Sequence, residues 1–98
     1  MLEELAQYWM AKQNYDKAEA SCWEALDLLE AKDEPILRAR LYRMLGRIAE
    51  RTGSVKLARN YYRLSLHLFR GLRAAGEVEE TTACLAALDA GDTPGGTP

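Results

Sequence analysis

The chain has 98 residues and a mass of 11.0 kDa, 48% hydrophobic and 29% charged, which suffices for one small domain with a modest core and excludes a two-domain enzyme. Its formal net charge of −2 supplies no bulk attraction to nucleic acid or to an anionic membrane. Charged residues interrupt every apolar stretch well short of the roughly 20 residues that span a bilayer.

From Met1 to Ala90, Ala, Leu, Glu and Arg dominate and β-branched residues are scarce, so the chain reads as all-α. A first helix is predicted over 2–12, ending at Lys12-Gln13-Asn14-Tyr15, and a second over 15–31, ending at Ala31-Lys32-Asp33-Glu34-Pro35. The third, 35–52, takes Pro35 in its first turn and stops at Arg51-Thr52-Gly53-Ser54. Ser54 caps a fourth helix over 55–73, Gly76 terminates it, and a fifth covers 77–90. Residues 91–98 hold no large apolar side chain and read as a flexible tail. The start Met1-Leu2-Glu3-Glu4 lacks the basic region and apolar run of a secretory signal, so the expected localisation is cytoplasmic. Cys22 and Cys84 then read as small buried hydrophobes in a reducing compartment, with a disulfide between them as the lesser alternative.

Shifted by forty residues, the sequence matches itself. Leu5 falls on Leu45, Ala6 on Gly46, Ala18 on Ala58, Ala25 on Ser65, Leu26 on Leu66, Leu28 on Leu68 and Leu29 on Phe69; a further shift places Leu45 on Leu85, Gly46 on Ala86 and Ile48 on Leu88. The unit is a helix, a tight turn and a second helix, and the chain holds about two and a half of them. Tyr42-x-x-Leu45-Gly46 followed by Ala58-x-x-x-Tyr62 resembles the tetratricopeptide repeat pattern. Leu2-x-x-Leu5-Ala6-x-x-Trp9 followed by Ala18-x-x-x-Cys22-x-x-Ala25 is a weaker copy. The unit departs from that family in its length of about 40 residues instead of 34, in Ala49 where an aromatic is expected, and in lacking a closing proline. The resemblance is to the longer-helix variety and covers residues 2–90. It implies a short right-handed solenoid with one repeat over 2–34, a second over 35–76 and a capping helix over 77–90.

The fifth helix suits a cap, with Val78, Thr81, Leu85 and Leu88 on one stripe and Glu79, Thr82 and Asp89 elsewhere. The first helix carries Leu2, Leu5, Tyr8, Trp9 and Met10 around much of its circumference, more than one stripe requires. These five form a candidate self-association face, covered by another copy, an upstream repeat or a partner.

Charge is segregated along the chain: residues 1–34 carry −6, residues 35–73 carry +9 with all nine arginines, and residues 74–98 carry −5. At 100° per residue Arg40, Arg43, Arg47 and Arg51 fall within about an 80° arc. In tetratricopeptide repeats the first helix of each unit lines the concave groove, so the resemblance implies that these arginines and Met44 face it, with Gln7 and Glu3 setting one wall. Two readings follow. Guanidinium groups pair bidentately with carboxylates or phosphates, making a clamp for an acidic peptide or partner protein; alternatively the stripe neutralises the protein's own acids, Glu80 among them. On the clamp reading, Arg43→Glu with Arg47→Glu leaves helicity intact and abolishes capture.

Nothing in the sequence points to catalysis, a cofactor or a metal. His67 has no Ser, Cys or carboxylate at an orienting spacing, nucleotide and metal motifs are missing, and the adjacent Glu79 and Glu80 point about 100° apart. Most aromatics match apolar residues forty positions away and read as core; Trp23 matches Arg63 and reads as a partly exposed indole, either an anchor for a contact or an ordinary amphipathic side chain lying over its neighbours. The sequence therefore describes a non-enzymatic protein-interaction module, an adaptor or scaffold with a basic groove. Its alternatives are a homo-oligomerisation module through the first helix and a nucleic-acid-binding or effector-sensing regulatory domain.

Overall fold

The computed structural model describes residues 2–29 and 34–92. It is built of five helices: α1 Leu2–Ala11, α2 Tyr15–Leu29, α3 Pro35–Arg51, α4 Val55–Gly71 and α5 Ala75–Asp92; no strand occurs among the described residues. Each helix packs on the next, and side chains also link alternate helices, Trp23 of α2 meeting Tyr61 of α4 and Arg43 of α3 meeting Glu77 of α5. Residues 30–33, the break expected between the second and third helices, and residues 93–98 of the expected tail lie outside the described residues. Residues 91 and 92 continue α5 instead.

Three turns share one geometry, in which a single left-handed residue reverses the chain. Gln13 has φ 62°, Gly53 φ 87° and Arg73 φ 58°. After α1, the Gln13 N–H donates to the Met10 carbonyl and the Asn14 N–H to that of Trp9. Gly53 and Ser54 donate likewise to Glu50 and Ala49, and Arg73 and Ala74 to Arg70 and Phe69. This crossed pair of bonds satisfies carbonyls that the helix end leaves open. Positions 13 and 53 are forty residues apart and 73 follows twenty later, so the turn repeats with the helices. The expectation that Gly76 terminates the fourth helix is corrected: Arg73 supplies the left-handed residue, and Gly76 lies inside α5. Pro35 stands in the first turn of α3 as expected. Ser54 occupies the cap position of α4 without a side-chain cap bond, whereas Asn14 Oδ1 accepts the Lys17 N–H at 3.3 Å ahead of α2.

The core runs along the hairpins. Ala6, Ala18, Cys22, Leu26, Leu29, Leu41, Leu45 and Ile48 pack where α1, α2 and α3 meet, and Ala49, Ala58, Tyr62 and Leu88 where α3, α4 and α5 meet. Within each hairpin two equivalent positions exchange volume. A Cβ on Gly46 would lie 2.7 and 2.8 Å from Cε1 and Cδ1 of Tyr62, so the tyrosine ring occupies the space a larger residue at 46 would need. Forty residues earlier the same two positions hold Ala6 and Cys22, both fully buried. Ser65 is buried as well and donates to the Ala39 carbonyl at 2.8 Å; Thr81 of α5 is buried at the position where α3 has Leu41.

Tyr62 donates its hydroxyl hydrogen to Glu50 Oε1 at 2.9 Å. Burial, and then this bond, push the phenol far above its ordinary pKa. A raised folded-state pKa gives stability that is complete below about pH 10 and is lost above it, at up to about 1.4 kcal/mol per pH unit for one proton. Tyr61, raised chiefly by burial, adds a slope of the same sign. Urea midpoints followed from neutral to strongly alkaline pH are therefore expected to fall less steeply in Tyr62→Phe than in the wild type, and superimposable slopes would contradict the assignment.

Candidate interaction surfaces

The arginine stripe of α3 is divided by its neighbours. Arg43 is only 9% exposed. Its Nη1 donates to Glu77 Oε1 at 2.7 Å and to Thr81 Oγ1 at 3.3 Å, Glu80 Oε1 lies 3.7 Å away, and the guanidinium carbon stands 5.2 Å from the centre of the Phe69 ring. Arg47 Nη2 reaches Glu80 Oε2 at 3.4 Å. These two arginines are thus turned toward α5, and for them the charge-matching alternative describes the geometry. Met44, expected in the groove, is buried in the core between hairpins. This is a correction with a simple cause: on a helix flanked on several sides, a residue one position from an arginine faces a different neighbour. Arg40, Arg51 and Gln7 are exposed; the side chain of Glu3 lies outside the described residues.

The apolar surface of α1 also resolves into two parts. Trp9 and Met10 are half-buried and pack against the core, with the Lys17 ammonium 4.5 Å from the Trp9 ring centre. They are not available as an open face, which corrects the five-residue patch expected from sequence. The Leu2 side chain lies outside the described residues. Leu5 and Tyr8 remain, 41% and 51% exposed, with Lys12 5.6 Å from the Tyr8 ring centre. Their counterparts in α3, Leu45 and Ile48, are 1% and 4% exposed, and Leu88 of α5 is likewise buried. The same flank of the same repeating helix is covered in α3, partly covered in α5, where Leu85 is half-buried beside the buried Leu88, and open in α1. Leu28 of α2 is exposed too.

A third surface surrounds Trp23, of which the sequence singled out the tryptophan but not its neighbours. Trp23 is 43% exposed and meets the Tyr61 ring edge-on at 6.2 Å, Tyr61 stacks on Tyr42 at 6.5 Å, and Leu57 and Leu64 of α4 are exposed beside them. Tyr15, Asp16 and Glu19 of α2 line a shallow cleft together with Leu57 and Tyr61 of α4. The available signal was the forty-residue alignment read for charge as well as for apolar character.

Among the described residues no group of three His, Cys, Asp or Glu side chains is placed to hold a metal, and no helix is long and apolar enough to cross a membrane. His67 is exposed; Cys22 is buried and Cys84 half-buried, and no disulfide joins them. Comparison with protein-family models, with curated proteins and with solved structures finds no match to the chain.

Proposed function

We propose that the chain is a non-enzymatic interaction module of tetratricopeptide-like helical repeats, and that it docks an apolar helical surface of another protein on the flank formed by Leu5 and Tyr8. The observation that supports this reading is the contrast within the repeat, since Leu45, Ile48 and Leu88 are buried where Leu5 and Tyr8 are open. Helices that repeat with the same face expect the same kind of neighbour, another amphipathic helix or hairpin. The clamp for an acidic peptide is the weaker reading, because Arg43 and Arg47 already meet Glu77 and Glu80.

A photo-cross-linking amino acid at position 8, in extract from the cells that make the protein, tests the reading. A discrete adduct is expected that Leu5→Glu diminishes and that a cross-linker at Thr82, exposed on α5, does not give. Equal yields from positions 8 and 82 would contradict the docking flank.

A further inference from the structure

The ridges that α2 and α4 turn to solvent carry opposite charge at matching positions. On α2 the ridge is Asp16, Ala20, Trp23 and Asp27; forty residues later, on α4, it is Lys56, Asn60, Arg63 and His67, with Arg70 beyond. All nine are exposed, and at 100° per residue each set clusters within about 80° on the side away from the buried alanines. The two helices run side by side and in parallel: Asp16 and Leu57 line one cleft near their N-terminal ends, and Trp23 meets Tyr61 further along. None of Asp16, Asp27, Lys56, Arg63 and Arg70 forms an ion pair among the described residues. Between the ridges runs a seam in which Leu57 and Leu64 of α4 are exposed and Glu19 of α2 lines the cleft beside Leu57.

We propose that this face pairs with the same face of a second copy, about a two-fold axis running along the seam parallel to the helices. Rotation about that axis lays α2 of one protomer over α4 of the other at equal height, because the two helices keep the repeat register. Asp16 then faces the partner's Lys56, Asp27 the partner's His67, and the Trp23 ring the partner's Arg63, an aromatic face for a cation. Every contact occurs twice, as an isologous interface requires. A two-fold axis across the helices would set acid on acid, so charge selects the first arrangement. Two helix faces, each about 25 Å long and about 10 Å wide, offer a footprint of roughly 500 Å², below the ~800 Å² per partner of a standard interface. The dimer's charge pairs are weakened by added salt. It uses a face separate from Leu5 and Tyr8.

Sedimentation velocity at low salt, from about 1 μM to about 500 μM, tests it. The wild type is expected to move from 11.0 kDa toward twice that mass. The triple variant Lys56→Glu, Arg63→Glu, Arg70→Glu and the double variant Asp16→Lys, Asp27→Lys are each expected to stay monomeric at unchanged helicity. Their equimolar mixture is expected to dimerise, because both contacts regain opposite charges. A wild type monomeric throughout, or charge variants that dimerise as it does, would overturn the proposal. Dimers lost in Leu5→Glu with Tyr8→Glu but kept in the charge variants would overturn it too, while supporting the α1 flank. So would an α4 ridge that binds a labelled single-stranded oligonucleotide in a chain that never dimerises.

Discussion

Arg43→Glu is expected to detach α5 from α3 and to lower helicity, the opposite of what the stripe taken alone implies. Arg43 is 9% exposed and holds Glu77 at 2.7 Å with Glu80 and Thr81 close by, so the substitution sets a third carboxylate among two. Breaking a buried pair costs about 3–5 kcal/mol. Glu77 is 31% exposed and turns partly to water, which places the expected loss near the lower end, about 3 kcal/mol. That is a large share of the roughly 5–15 kcal/mol that holds a domain folded. Arg43→Met keeps the stem on Phe69 without the charge and is expected to cost about 1–2 kcal/mol, since an apolar replacement of a buried ion pair is often tolerated. Circular dichroism and thermal melting of the two variants beside the wild type decide it; a Tm for Arg43→Glu equal to that of the wild type would show that the pairing with α5 contributes nothing.

Gly46→Ala should destabilise the protein, although alanine is the better helix former by about 1 kcal/mol. The added carbon would sit 2.7 Å from a ring that is buried and anchored through its hydroxyl to Glu50, and overpacking of this kind costs about 1–3 kcal/mol. The sign is expected to reverse once the ring is removed. In a Tyr62→Leu background, Gly46→Ala should stabilise by about 0.5–1 kcal/mol relative to its own parent. The coupling in the double-mutant cycle is then about 2 kcal/mol. Ala6 and Cys22 are the version of this solution already present in the first hairpin. A Gly46→Ala effect of the same sign in both backgrounds would refute the volume exchange.

The helices and their repeat were legible because small residues recur with them: Ala6 and Gly46, Ala18 and Ala58 mark close approach between helices, and the breaks at 12–15 and 51–54 became matching turns. The left-handed residue that ends α4 was misplaced by three positions because Gly76 is the obvious choice in the sequence, while Arg73 takes that conformation inside a hydrogen-bonded turn. Site residues were harder to read. A helical wheel gives the angle of Arg43 on its own helix but not the position of α5, whose Glu77 and Glu80 turn a candidate clamp into a structural pair. Trp9 and Met10 belong to the same failure, since apolar character alone does not say which side of α1 meets α2. Leu5 and Tyr8 are separated from them by their own exposure on the side of α1 away from α2, and that required coordinates.

Affinity measurement on the protein cross-linked at position 8 tests the docking flank most directly. With that protein purified, titration against the wild type and against Leu5→Glu with Tyr8→Glu is predicted to show at least about tenfold weaker binding for the double variant, with helicity unchanged because both side chains point to solvent. Equal affinity for the two chains would contradict the account.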